Sequence, residues 1–507
     1  MATNVKKMFQ KWCEQNHLDT KKHQLSGIEW VINREKNPSV GSPGGFLCDE
    51  MGLGKTILMI GSIILNPLTR TLIVLPKSLL DQWKRAIIKF TPLSEEDVLI
   101  FHGANSKISK EEISEYCIVL TTYGMIATRK ETAKRGKYVC PLWTINWDRT
   151  IYDESHHLRN VRTGLYLGAL KLTSSVVWMV TGTPINNKKS DFYNQCVIQG
   201  SGKSFKPDKE QIKAVIREIV LLRTKKQVGI KMPELRENII SVEWESKEEE
   251  QFVRNIHSLM QFAPVNATNV DAVIQNLGNM YESLPIFMLM RQACVLPRMA
   301  KNSLRRKAIQ NNFDLVQHNL ITGNTDSKLT SVVDTIVSNR HSRKGKLVFC
   351  LFREEMEVLS QNLGKKGINS VIISGSTSQK DRKRALQEGV PEELWSEMTS
   401  LYIPDQLRDR INSYLQPEVV IAQIQTSCEG LNLQHLAEVY FTTPHWNPAV
   451  EDQAIARCHR IGQKQAVDVY RFVTTFVQTE DEDSMSLDQY CLNVQQTKRE
   501  CAKSYGF

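Results

Sequence analysis

Apolar residues gather in two series of short, β-branched runs separated by longer stretches in which hydrophobic positions recur at helical spacing. The first series comprises GGFLC (44–48), RTLIVLP (70–76), YCIVLTTY (116–123), RTIYDE (149–154) and VVWMVTGTP (176–184). The second comprises KLVFCLF (346–352), INSVIISG (368–375), EVVIAQIQ (418–425), EVYFTTP (438–444) and VDVYRFV (467–473). Runs of this length without polar alternation are buried on both faces, and their alternation with helical patterns predicts parallel sheets covered by helices. Two α/β lobes follow, each built on a parallel sheet. Between them the chain is polar and helical in pattern: KEEEQFVRNIHSLM (247–260) predicts an amphipathic helix and LLRTKKQVGIKMPEL (221–235) a basic connector. The reading therefore places a first lobe at residues 1–222, a connector and helical protrusion at 223–325, and a second lobe at 326–507.

Length agrees with this division, since 507 residues exceed one ordinary core. The longest apolar candidate, ILMIGSIIL from Ile57, falls short of the roughly 18 residues of a membrane span. The opening MATNVKKMFQKWCEQNH lacks the apolar core of a signal peptide and reads as the start of a mature, soluble chain. Eleven cysteines are scattered singly, without metal-ligand spacing, which suits reduced thiols. The net charge of +10 suits a polyanionic partner but also describes many proteins that bind none.

Candidate chemistry sits at the ends of the first-lobe runs. DEMGLGKT (49–56) lies between a strand and a helix, where backbone N–H groups and a helix N-terminus cradle a polyphosphate. Gly52 and Gly54 permit the turn, Lys55 reaches the β and γ phosphates, and Thr56 holds Mg²⁺, although Asp49 stands where the generic pattern has glycine. DESHH (153–157) puts two carboxylates after a strand, Asp153 for the Mg²⁺ shell and Glu154 to orient and deprotonate water. TGTP (181–184) follows a third strand, so that Thr181, Gly182 and Thr183 can sense the γ-phosphate side. Each motif alone has a bland explanation as an exposed turn, a solvated acid pair or a helix cap. Three in order on successive strand ends favour an ATPase.

These residues resemble the Snf2 family of superfamily 2 helicases, over roughly residues 20–475. KKHQLSGIEWV (21–31) resembles the motif whose glutamine, here Gln24, reads adenine; LIVLPKSLLDQW (72–83), FHG (101–103) and LTTYGM (120–125) resemble strand-end motifs that touch DNA; LRTKKQV (222–228) resembles the link into the second lobe. WNPAVEDQAIARCHRIGQ (446–463) is the most diagnostic stretch. Its Arg457 and Arg460, three apart and so expected on one helix face, are implied to act on the γ-phosphate from the opposite lobe. QTSCEGLNLQ (425–434) departs from the common form of its motif at Ser427 and Cys428 while keeping Gly430. SGSTSQKDRKR (374–384) resembles a phosphate-contacting turn, and the stretch at about 385–410 exceeds the family core and has no assigned role.

The resemblance implies two RecA-like lobes with ATP and Mg²⁺ between them. Nucleotide contacts fall to Gln24, Asp49, Gly52, Leu53, Gly54, Lys55, Thr56, Gly430 and Gln453, and metal contacts to Thr56 and Asp153. DNA contacts fall to Lys77, His102, Thr121, Thr122, Tyr123, Ser376, Thr377 and Trp446, although Trp446 also suits plain core. The implied activity is a DNA-dependent ATPase and double-stranded DNA translocase acting on protein–DNA complexes, with nucleosomes or another DNA-bound protein as partners, working as a monomer. A nuclear location follows, or a viral factory or virion, since the compact form also resembles ATPases of large DNA viruses. Between 200 and 325 the sole cysteine is Cys294, which argues against an inserted RING module. Two alternatives stand beside this reading, an RNA-dependent helicase and a scaffold whose ATPase has decayed.

Overall fold

The computed structural model describes residues 2–38, 41–129, 139–183, 190–201, 216–259, 262, 283–311, 325–342, 344–375, 377, 418–424, 433–476 and 485–504. The chain divides into two compact units, with the boundary between Lys231 and Met232.

The first unit holds a seven-stranded sheet in the order β3-β4-β2-β5-β6-β1-β7. Its strands are β1 (Gly44–Leu47), β2 (Thr71–Leu75), β3 (Val98–Phe101), β4 (Ile118–Thr122), β5 (Asn146–Asp153), β6 (Thr173–Val180) and β7 (Val220–Leu221). Every pairing is parallel. Successive side chains of a strand point to opposite faces. Accordingly Ile73 and Leu75 enter one core with Trp83, Ile87 and Trp178, while Leu72 and Val74 enter the other with Tyr123, Tyr152 and Met179. A buried ion pair ties the layers together: Arg149 of β5 donates from Nε and Nη2 to Glu35 at 2.8 and 2.6 Å, and Trp178 Nε1 donates to the same carboxylate at 2.8 Å.

The second unit holds six strands in the order β10-β11-β9-β12-β13-β8, again all parallel. They are β8 (Leu235–Val242), β9 (Gly345–Cys350), β10 (Ser370–Ile373), β11 (Val419–Gln423), β12 (Leu436–Phe441) and β13 (Val467–Thr474). Two α/β lobes, each on a parallel sheet, are thus present, as the hydrophobic pattern predicts.

Three strands were not foreseen. β3 is a four-residue run and β7 has two residues. β8 lies inside the stretch read as connector, yet it pairs with β13 from Leu235↔Val467 to Val242↔Thr474. The described helices of the expected protrusion also belong to the second unit. Phe252, Val253 and Ile256 of helix Lys247–His257 and Leu289, Met290 and Ala293 of helix Ser283–Val295 share a core with Leu487, Tyr490, Cys491 and Val494 of the last helix, Leu487–Ser504. No helix among the described residues is long and apolar enough to cross a membrane.

Candidate active site

The phosphate turn forms where β1 ends and helix Lys55–Leu65 begins. Gly52 and Gly54 adopt φ of 91° and 86°, a region that favours glycine. A Cβ on Gly54 would also lie 2.5 Å from Nε2 of Gln24, so the adenine-type glutamine packs directly on the turn. Lys55 and Thr56 are the first two helical residues and half-buried, and Lys55 Nζ donates to the carbonyl of Asp49 at 2.7 Å. Leu53 is buried, and its carbonyl faces His23 Nε2 at 3.1 Å.

Asp49 accounts for its own departure from the generic motif. Its carboxylate is fully buried and accepts from Arg223 Nε at 3.0 Å and Nη2 at 2.5 Å, a two-pronged pair. Arg223 Nη1 donates to the His23 carbonyl at 2.5 Å and to Ser26 Oγ at 3.1 Å. The Asp49 side chain braces the turn against the residue that opens the connector. Next to it, Lys225 pairs with Glu50 at 3.0 Å.

The acid pair closes β5. Asp153 Oδ2 accepts from Trp83 Nε1 at 2.8 Å, Oδ1 accepts from the Glu154 N–H at 3.0 Å, and the Asp153 carbonyl accepts from the Tyr123 hydroxyl at 2.6 Å. Glu154 has φ of 51° and ψ of 49°, one of two non-glycine residues at positive φ among those described. Strain of this kind at a reacting position persists only where the surroundings enforce it. Burial, and next the charge of Glu154, raise the Asp153 carboxyl to about 7. Burial lowers the Lys55 pKa, while Glu154, Asp49 and Asp153 oppose that shift. A buried acid pair that favours a proton beside one lysine fits a divalent cation, which would compensate the second negative charge.

The third motif lies against the other two. A Cβ on Gly182 would meet Met51 Cγ at 3.2 Å and Lys55 Nζ at 3.7 Å. Thr181 Oγ1 accepts from the Thr183 N–H at 3.1 Å and lies 3.2 Å from His156 Nδ1, which in turn is 3.3 Å from Glu154 Oε2. His156 thus joins the acid motif to the TGT turn, a link that DESHH offered only as an unassigned histidine. Pro184 lies outside the described residues.

Among the residues expected to meet DNA, the structure sorts exposed from buried. Lys77 is exposed and His102 half-buried, at the C-terminal ends of β2 and β3; burial, and then the Lys77 charge, lower the His102 pKa. Thr122 Oγ1 lies 3.4 Å from His102 Nδ1, completing a ridge at three neighbouring strand ends. Thr121 is fully buried and its hydroxyl donates to the Phe101 carbonyl at 2.9 Å. Tyr123 is buried as well, with its hydroxyl on the Asp153 carbonyl. Strand alternation puts Thr121 and Thr122 on opposite faces of the sheet, both of them buried.

In the second unit, helix Pro448–Ile455 stops before both arginines, which corrects the expectation of a shared helix face. Arg457 and Arg460 occupy the turn that follows, both half-buried. Gln463 holds that turn: Nε2 donates to the carbonyls of Gln434 at 2.8 Å and Cys458 at 3.2 Å, and Oε1 accepts from the N–H groups of Lys464 at 2.9 Å and Gln465 at 3.0 Å. His459 Nε2 lies 2.8 Å from the Pro233 carbonyl. Gln453 is half-buried on the helix. Glu451, fully buried, accepts from Arg471 Nε at 2.8 Å, Gln495 Nε2 at 2.7 Å and the His445 N–H at 2.6 Å, so it anchors the WNP loop.

Trp446 is half-buried against the core of the second unit. It lies edge-on to Phe287 at 5.5 Å, beside Tyr490 at 5.9 Å and under Lys498 Nζ at 5.0 Å. Thr377 caps the turn after β10, its Oγ1 accepting from the Ser374 N–H at 2.9 Å. Ser376, the cluster at 380–384, the long segment near 385–410, Ser427, Cys428 and Gly430 lie outside the described residues. Trp83, Arg223, Glu451 and Gln463 were not singled out from sequence. All four nevertheless stood inside quoted motifs, Trp83 in LIVLPKSLLDQW, Arg223 in LRTKKQV, and Glu451 and Gln463 in WNPAVEDQAIARCHRIGQ.

Residues 23–198 match the family model of the SNF2-related domain. The chain is similar to a probable global transactivator of Orgyia pseudotsugata multicapsid polyhedrosis virus, 27% identical, with 89% of this chain and 85% of that protein covered. It is 24% identical to the DNA repair protein RAD5B of Arabidopsis thaliana and 25% identical to the ISWI chromatin-remodeling complex ATPase ISW2 of Saccharomyces cerevisiae. The matches cover 85% and 89% of this chain, but it spans only 43% and 38% of those two proteins. A solved SWI2/SNF2 ATPase core of Sulfolobus solfataricus in complex with dsDNA is 20% identical, covering 96% of this chain and 97% of that one, with a TM-score of 0.38.

Proposed function

We propose that the chain is an Snf2-family ATP hydrolase driven by double-stranded DNA along which it translocates. The observation that carries the reading is the convergence, at the C-terminal end of one sheet, of Lys55, the Asp153–Glu154 pair and the Thr181–Thr183 turn. Open α/β sheets bind ligands at this end of their strands.

Lys55 would leave the Asp49 carbonyl for the β and γ phosphates, while the N–H groups of the Gly52–Gly54 turn hold their oxygens. Gln24, packed on Gly54, stands where an adenine edge would be read. Thr56 and Asp153 would hold Mg²⁺, which when bound neutralises charge on the phosphate oxygens. Glu154 would orient the attacking water and take its proton; His156 and Thr181 keep that carboxylate in register with the turn facing the γ-phosphate. Arg457 and Arg460 would supply the guanidinium charge that such a transition state requires.

Duplex DNA as activator is supported by Lys77 and His102 at adjoining strand ends, and by the chromatin-remodelling, repair and transactivating roles in the relatives' names. Backbone contacts of this kind give weak sequence preference and strong salt dependence. Movement against nucleosomes or other DNA-bound proteins in a nucleus, or on a viral genome, is the task we assign to the motor.

The test is ATP turnover by the full chain with duplex DNA, single-stranded DNA, RNA or no polymer, followed by triplex displacement. Duplex should stimulate most, and Glu154→Gln should lower turnover by roughly two to four orders of magnitude. Equal turnover with and without duplex at every salt concentration, or stronger stimulation by RNA, would overturn the reading.

A further inference from the structure

Two segments matched to DNA-contacting motifs, 72–83 and 120–125, each send one aromatic side chain inward to the same residue. Trp83 is 1% exposed and Tyr123 5%. Trp83 Nε1 donates to the Asp153 carboxylate at 2.8 Å, and the Tyr123 hydroxyl donates to the Asp153 carbonyl at 2.6 Å. Apolar packing alone needs neither polar atom, and phenylalanine would fill the Tyr123 site without its hydroxyl; the donors therefore answer to their acceptor. With the Glu154 N–H on Oδ1, one donor is committed on each carboxylate oxygen, and the lone pairs that stay open face a fixed direction.

The same two segments lie beside the exposed Lys77 and the half-buried His102. Tyr123 directly follows Thr122, whose hydroxyl meets His102, and Trp83 lies in helix Leu80–Phe90, which starts just past the Lys77–Leu79 turn. Two separate pieces of chain thus run from the Lys77 and His102 strand ends to a hydrogen bond on Asp153. Groups that orient a metal-holding carboxylate typically change metal affinity 10–100-fold when removed.

We infer that Trp83 and Tyr123 are positioning residues that fix Asp153 for Mg²⁺ beside a bound nucleotide and join that acid to the Lys77–His102–Thr122 ridge. This rests on the ATP-hydrolase reading above. Neither ring touches substrate; each acts through Asp153.

The experiment measures the affinity of the full chain for a fluorescent ATP analogue in Mg²⁺ and in EDTA, for the native protein, Tyr123→Phe, Trp83→Phe and Trp147→Phe. The last is a control, because the buried Trp147 Nε1 donates at 3.1 Å to the Leu142 carbonyl, a structural bond elsewhere in the same lobe. The expected result is that Tyr123→Phe and Trp83→Phe reduce the gain conferred by Mg²⁺ at least fivefold while affinity in EDTA stays within twofold. Trp147→Phe should keep the native gain. In turnover assays the ratio of duplex-stimulated to unstimulated rate should fall by a similar factor in the first two variants.

The inference is overturned if Tyr123→Phe keeps the native Mg²⁺ gain, or if Trp147→Phe loses as much of it. Should Trp83→Phe fail to fold, Tyr123→Phe decides alone, since it removes one oxygen and leaves the ring. A native protein with no Mg²⁺ gain overturns the hydrolase reading itself, and this inference with it; a native gain retained by both variants overturns this inference only.

Discussion

Asp153 is the residue at which chemistry and stability pull in opposite directions. Its carboxyl sits near 3.8 when unfolded and is raised to about 7 in the folded chain, by burial first and by Glu154 next. Between those values the folded state binds a proton that the unfolded state has released, so stability falls as pH rises through this window. In EDTA, Asp153→Asn should therefore raise the melting temperature at pH 7.5, with the advantage shrinking toward pH 4 and Mg²⁺ narrowing it at neutral pH. Calorimetry showing one constant offset at every pH would contradict the assignment. Arg223 gives a second prediction: lysine cannot reproduce its two-pronged grip on Asp49. Arg223→Lys should weaken nucleotide binding by roughly tenfold or more in equilibrium titration, the scale of a hydrogen bond to a charged group. At this scale the motifs located Lys55, Asp153 and Thr181, because their spacing follows strand ends. They could not tell which way Asp49, Thr121 or Tyr123 point, because direction is set by strand alternation and by partners as remote in sequence as Arg223 and Asp153.

Elements differ in how openly the chain announces them. The central strands were legible because both faces are buried: β2, β4 and β12 have no exposed residue and are mainly apolar, with Glu438 and a few threonines as the polar members. β8 was not, because an edge strand with mostly exposed residues, LRENIISV, carries Arg236, Glu237 and Asn238 like a loop. The arginine turn failed for a different cause. Three-residue spacing is compatible with a helix, but the element ends at Ile455 and the path beyond it is fixed by the Gln463 side chain, a tertiary contact with no local signature. Gln463→Leu would leave buried carbonyl and N–H groups of that turn unpaired, at about 1–3 kcal/mol for each such group. Denaturant titration should show the second unit destabilised by at least about 2 kcal/mol, and turnover should fall further than nucleotide binding in the first lobe.

On the scale of the molecule, the last helix decides whether the helices near 247–295 have a core at all. His257 is the fastening: Leu487 N–H donates to Nε2 at 3.0 Å, so Nδ1 carries the proton and donates to the Val253 carbonyl at 2.7 Å. Burial lowers its pKa from 6.5 to about 4. A lowered folded value means that stability is complete above 6.5 and lost as pH falls toward 4, where protonation removes the acceptor for Leu487. Hydrogen exchange should show protection in helices Lys247–His257 and Leu487–Ser504 declining across that range, and His257→Gln should flatten the decline. The connector has a consequence of its own. Arg223 and Lys225 are fastened to Asp49 and Glu50 in one unit, and the carbonyls of Pro233 and Glu234 to His459 and the Val467 N–H in the other. The few residues in between curl around Gly229, whose φ of 73° and open surroundings leave it room to rotate. One end of that short turn is stitched to the loop that would grip phosphate and the other to the loop that carries the arginines.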